Sequence, residues 1–221
     1  MATYDLEEQE QLDELKTWWK MYGNLVTGIL VAVALAVVAW QGWNWWQRQQ
    51  AAQASAVFSG LQTAVAQKDA KRSRELAGEL IDKYSSTAYA GMGALLAARI
   101  QVDAGDARNA RVQLAWAADN AKDPGLRDLA RLRLAAVMLD EKAYDEAIQQ
   151  LAAEPAAPFA PRFAELRGDI FAAQGKAAEA RSAYDAALAK FDALAKGDET
   201  RQRGGYSELV QAKRDSLGAA K

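Results

Sequence analysis

The chain contains no Cys and no His. Thiol nucleophiles, disulfides, zinc-finger-type metal sites and His-based triads are therefore removed together. Serines, lysines and carboxylates remain, and their spacing does not favour catalysis. Ser55, Ser59 and Ser73 lack the Gly-rich surround of a strained nucleophile turn. Glu7 and Glu8 are adjacent carboxylates, but they lie in a polar head with no apolar pocket to raise a pKa. Gly204-Gly205 is an isolated pair rather than a phosphate-cradling loop. Lys71, Arg72 and Arg74 have no interleaved aromatics and read as a solvated helix start. With Lys+Arg 27 against Asp+Glu 29, the net charge of −2 points away from nucleic acid. The residues predict a protein without catalytic, cofactor-binding or metal-binding chemistry.

The elements that would position any site are helical. Four Pro among 221 residues, with abundant Ala, Leu, Gln, Lys and Glu, predict an all-α chain. Four segments follow: an acidic head over 1–24, an apolar stretch over 25–46, a repeat domain over 47–203 and a terminal helix over 204–221. The head carries Asp5, Glu7, Glu8, Glu10, Asp13 and Glu14 against only Lys16 and Lys20. Residues 25–46 hold no charge and are long enough to cross a bilayer. Six of the 7 Trp bracket this stretch, Trp18 and Trp19 before it, Trp40, Trp43, Trp45 and Trp46 at its end. Such belts sit at membrane interfaces, where the ring is apolar and its N–H meets water. Ala52-Gln53-Ala54 resembles a cleavage site, but the long acidic head and the Trp cluster favour an uncleaved anchor. Lys16 and Lys20 against Arg48 orient the head to the cytoplasm. Gly28, Ala32 and Ala36, followed by Trp40, share one face where another helix could approach closely.

Beyond the anchor, apolar residues recur with helical period and turn signals interrupt them. Breaks fall at Lys68-Asp69, Gly105-Asp106, Asp123–Gly125, Glu141–Tyr144, Pro155–Pro161, Gly175 and Lys196–Gly205, leaving helices of about 12 to 17 residues. Ala110, Ala147 and Ala180 open successive second helices, 37 and 33 positions apart. Twelve positions before them stand Ala98, Ala135 and Gly168, and four after them Leu114, Leu151 and Tyr184. This is the tetratricopeptide pattern, a right-handed solenoid of helical hairpins. A degenerate first hairpin over about 51–84 places Leu61 and Ser73 in the corresponding positions.

Solenoids bind along the concave face lined by the first helix of each hairpin. That geometry selects Met92, Leu95, Arg99, Val102 and Asp103, then Leu129, Leu132, Ala136, Leu139 and Asp140, then Arg162, Glu165 and Asp169. The apolar character of the first two sets suits an apolar extended or helical ligand better than an acidic tail. Tyr206, Leu209, Val210, Lys213 and Leu217 mark one face of a terminal helix that would cap the last repeat or occupy the groove.

The head and anchor carry a more specific signal. Tyr4, then Glu7-Glu8-Gln9-Glu10-Gln11-Leu12, Leu15-Lys16, Trp18-Trp19-Lys20 and Gly23-Asn24 resemble the opening of the YfgM-like proteins of Gram-negative bacteria. The similarity continues through the Trp-terminated helix, the repeats and the late Gly168-Asp169-Ile170, Ala173-Gln174-Gly175 and Ala180-Arg181 segments. The resemblance implies an ancillary subunit of the SecYEG translocon. It further implies a single-pass inner-membrane protein with periplasmic repeats and a periplasmic chaperone partner of the PpiD type. Restraint of a stress-response regulator from the cytoplasmic side is implied for some members. An adaptor for another envelope complex is the alternative that the residues themselves leave open.

Overall fold

The computed structural model describes residues 4–195 and 205–218, with side chains from Asp13 onward. The head carboxylates Glu7, Glu8 and Glu10, and most of the connection at Lys196–Gly205, fall outside the described residues and side chains. Every element among the described residues is helical: α1 (Tyr4–Ala66), α2 (Ala70–Tyr84), α3 (Ala88–Asp103), α4 (Ala107–Asn120), α5 (Pro124–Asp140), α6 (Tyr144–Gln150), α7 (Ala160–Ala173), α8 (Ala177–Ala195) and α9 (Tyr206–Ser216), with a single 3-10 turn at Ala157–Phe159. The chain forms two compact units, Met1–Gln50 and Ala51–Lys221.

In the first unit α1 is long and apolar enough to cross a membrane. Its apolar side chains cover little of one another: Leu25, Leu30, Leu35 and Val38 are all more than three-fifths exposed. A helix apolar on every side is stable against lipid and not against water.

In the second unit, α1 from Ala51 pairs with α2, α3 with α4, α5 with α6 and α7 with α8. The four hairpin turns are built alike. Lys68, Gly105, Lys142 and Gly175 each adopt a left-handed backbone, with φ of 56°, 78°, 62° and 74°. Each donates its N–H three residues back, to Val65, Val102, Leu139 and Ala172, at 2.9–3.0 Å. The next residue donates five back, to Ala64, Gln101, Met138 and Phe171, at 2.8–2.9 Å. This paired capture of the last carbonyls is the Schellman motif, in which glycine costs least. Two lysines therefore hold a conformation better suited to glycine.

Asp69, Asp106 and Asp123 start α2, α4 and α5 by accepting the backbone N–H of Arg72, Asn109 and Leu126. Helix α6 is only 7 residues, well short of the expected length. Just past its end, the carbonyl of the C-cap residue Leu151 accepts from Arg167 Nη2. The Ala156 N–H then donates to the buried Asp128 carboxylate at 2.8 Å, which ties the Pro155–Pro161 connection to α5.

The core lies where hairpins touch. Ser73, Ala110, Ala147 and Ala180, at equivalent places, are all fully buried. Small and large residues complement each other across each hairpin. Ala98 and Ala135 go with Leu114 and Leu151, whereas in the first hairpin Leu61 goes with Ala77, all within 1% of full burial. At Gly168 the fit is tight, because a Cβ there would stand 2.5 Å from the Tyr184 ring. Burying each such leucine contributes roughly 2 kcal/mol.

Candidate protein-binding groove

The first helices of the hairpins present their inner faces as a row, and the open part of that row is a double hollow. One cavity of about 350 Å³ lies between α3 and α5, floored by Leu114. Helix α3 contributes Ala98, Arg99, Val102 and Asp103, and α5 contributes Arg133, Ala136, Val137 and Asp140. A second, of about 550 Å³, lies between the end of α1 and α3. Val65, Ala66 and Lys68 face Leu96, Ile100 and Ala104 across it, and Arg99 and Asp103 stand on the wall common to both.

Of the inner-face residues selected from the sequence, Arg99, Val102, Asp103, Ala136 and Asp140 line these cavities. Leu95 is packed in the core, 5% exposed. Leu129, Leu132 and Leu139 are half-buried against the same core, Met92 is half-buried, and none of these four lines either cavity. Sequence reasoning missed Arg133. Strict repeat register sets Ala136 opposite Arg99, but a long side chain one turn earlier on α5 reaches the same hollow.

Arg133 is the electrostatically unusual group. Partial burial, and then the charge of Arg99, pull its guanidinium below the ordinary arginine range. Among the described residues its side chain makes a single hydrogen bond, a long one of 3.4 Å to the Leu95 carbonyl. Among the described residues neither Arg99 nor Arg133 has a carboxylate within salt-bridge distance.

The inner face of α7 is different. Arg162, Glu165 and Asp169 lie under α9. Lys213 Nζ donates to Glu165 Oε1 at 2.9 Å and to Asp169 Oδ1 and Oδ2 at 2.9 and 2.8 Å. Arg162 donates to Glu165 Oε2 at 3.0 Å, and its guanidinium stacks 4.2 Å above the Tyr206 ring. The Tyr184 hydroxyl donates to Asp169 at 2.8 Å. Desolvation alone would lower the Lys213 pKa, but the hydrogen bonds to Asp169 and Glu165 outweigh it and the net shift is upward. Burial and the neighbouring carboxylates push the phenols of Tyr184 and Tyr206 well above their usual range. Val210 is fully buried in a cluster with Ala164, Ala180, Tyr184 and Ala187, and Leu217 packs against it. Leu209 is 49% exposed, while Ser207 is buried in its stead, so the packed face is rotated from the expected one. Helix α9 thus caps the last hairpin and also covers the inner face of α7.

Along the anchor, Trp18, Trp19, Trp40, Trp43, Trp45 and Trp46 are all at least 42% exposed. Trp18 packs near Trp19 and Tyr22, and Trp43 near Trp46, with ring centroids 5.4–6.3 Å apart. Gly28, Ala32 and Ala36 are exposed on their common face, and nothing lies within 4 Å of a Cβ added at Gly28.

The sequence profile of the family described as "Tetratricopeptide repeat-like domain" matches residues 16–219. An "Ancillary SecYEG translocon subunit" of Neisseria gonorrhoeae (strain ATCC 700825 / FA 1090) is 35% identical over 217 residues, covering 96% of this chain and 98% of the relative. The protein of the same name from Haemophilus influenzae (strain ATCC 51907 / DSM 11121 / KW20 / Rd) is 33% identical over 83% of this chain and 90% of its own. That of Escherichia coli (strain K12) is 28% identical over 95% and 96%. Anchor, hairpin architecture and near-full-length similarity agree, and the chain belongs to the YfgM-like family of ancillary SecYEG translocon subunits.

Proposed function

We propose that the protein is a single-pass inner-membrane component of the secretion machinery that works by binding, not by catalysis. Its anchor and repeats associate with the SecYEG translocon. The N-terminus lies in the cytoplasm and the repeat unit in the periplasm, where it works beside a membrane-anchored chaperone of the PpiD type on chains leaving the translocon. The observation that carries this reading is the similarity, over 96% of this chain, to a protein named as an ancillary SecYEG translocon subunit. Lys16 and Lys20 before the apolar stretch against Arg48 after it support the orientation. The open groove supports a role in holding polypeptide. Any cytoplasmic contact, such as restraint of a response regulator, falls to the acidic head, and replacing Glu7, Glu8 and Glu10 by Gln would weaken it.

Co-purification of the full-length protein from membranes in mild detergent tests the reading, alongside a version with an unrelated membrane helix replacing residues 25–46. Translocon subunits and a periplasmic chaperone should be recovered with the native chain. Their loss in the helix-replaced version assigns docking to the anchor. Recovery of a different envelope complex, with no translocon subunit, would replace this reading with that of an adaptor for that complex.

A further inference from the structure

We propose that Arg99 and Arg133 form a carboxylate anchor in the open groove, holding an Asp or Glu side chain of an extended, otherwise apolar segment of a bound protein. The inference rests on the polypeptide-binding role of the groove and names the chemistry it selects. Two guanidinium groups enter one cavity from facing helices, and among the described residues no carboxylate pairs with either. Two half-buried arginines of the same unit do find carboxylates: Arg111 reaches Glu141 at 2.9 Å, and Arg214 reaches Asp185 at 3.1 Å. An unneutralised pair, one member partly desolvated, destabilises the empty groove and is relieved by an anion placed between them. Guanidinium forks bind carboxylate bidentately, which adds geometric selectivity to the charge.

The surroundings narrow the ligand. Arg99 stands on the wall common to both cavities, so a ligand bound at the pair continues on either side of it. On one side it meets Val65, Leu96 and Ile100, on the other Ala136 and Val137. A chain ending at the pair would fill only one hollow, so the carboxylate belongs to an internal side chain flanked by apolar residues. Asp103 and Asp140 line the same space, at the last residues of α3 and α5. They give the groove a cationic middle and an anionic end, where peptide N–H groups or a Lys of the ligand can be accepted.

The test uses full-length protein in detergent and a fluorescent peptide of Ala, Val and Leu with one central Glu and both ends blocked. Peptides with Gln at the centre, or with Gln at the centre and a free C-terminal carboxylate, serve as comparisons. The Glu peptide should bind roughly tenfold tighter than the Gln peptide, with the difference shrinking in high salt. Arg99→Gln and Arg133→Gln should each remove most of that preference, while Glu154→Gln, at an exposed position outside both cavities, keeps it. Arg99 is exposed and its side chain makes no hydrogen bond among the described residues, so its replacement leaves the fold intact. Equal affinity for the Glu and Gln peptides, or a preference that survives Arg99→Gln, would overturn the proposal. So would tight binding confined to the free C-terminal carboxylate. Translocon co-purification of the native chain reads separately: it persists if only the carboxylate proposal fails, and is missing if the wider reading fails.

Discussion

Two stretches of the same inner face treat charge in opposite ways. On α7, Glu165 is 5% exposed and Asp169 lies beside it, and α9 brings Lys213 to both. On α3 and α5, Arg99 and Arg133 share an open hollow whose floor is Leu114 of α4. The end of the solenoid is closed by the chain itself, with its charges paired and its phenols kept protonated. The middle is left open with charge unspent. A terminal repeat has an exposed face that must be covered for solubility, whereas an interior face has neighbours on both sides and can be kept for a ligand.

The contrast breaks most visibly at Lys213. Lys213→Met leaves the buried Glu165 without its second cation and should destabilise the C-terminal hairpin by about 3 kcal/mol. Hydrogen exchange of the full-length chain would show α9 losing protection while α3 and α4 keep theirs. Gly168→Ala drives a methyl to within 2.5 Å of the Tyr184 ring, at a cost of about 2 kcal/mol by thermal unfolding.

Alkali should act on the closed end too. Lys213, Tyr184 and Tyr206 all have folded-state pKa values raised above their ordinary ones. Their contribution is therefore fully present below about pH 10 and is lost as pH climbs through the higher folded values. Phenolate absorbance should show two tyrosines ionising late, and Lys213→Met should bring Tyr206 earlier by releasing α9. Titration of both at the ordinary phenol value in the native protein would contradict the packing described.

Smaller effects come from the turns. Lys142→Gly and Lys68→Gly each remove the side chain from a left-handed residue and should raise stability by about 0.5–1 kcal/mol in melting experiments. The smallest effect belongs to the open face. Arg133→Gln removes a partly desolvated, unpaired charge and should change stability by less than about 0.5 kcal/mol, against the large loss at Lys213.

Much of this architecture was readable before any coordinates. The small residues at Ala98, Ala110, Ala135, Ala147, Gly168 and Ala180 report close helix contact, which few other side chains allow, so their spacing revealed the hairpins. Ser73 and Leu61 extend the register to the first hairpin by spacing alone, and the structure buries Leu61 together with Ala77 there. The shortness of α6 was not readable, since its end is set by Arg167 and Asp128 from other helices. The groove was only partly legible. Register alignment identifies equivalent backbone positions, but Arg133 reaches the hollow by side-chain length, and Leu95 points into the core at a position that register alone assigns to the inner face. On α9, Ser207 is buried and Leu209 exposed while Lys213 pairs with Glu165 and Asp169, contacts that apolar periodicity does not encode.

Site-specific photo-crosslinking in native membranes tests the open-and-closed arrangement most directly. A photoreactive residue would replace Val102 in the open groove in one version of the full-length protein and Arg162 under Tyr206 in another. The account predicts adducts with other polypeptides from the Val102 position, and from the Arg162 position only an internal link to α9. Intermolecular adducts at Arg162 with none at Val102 would contradict it.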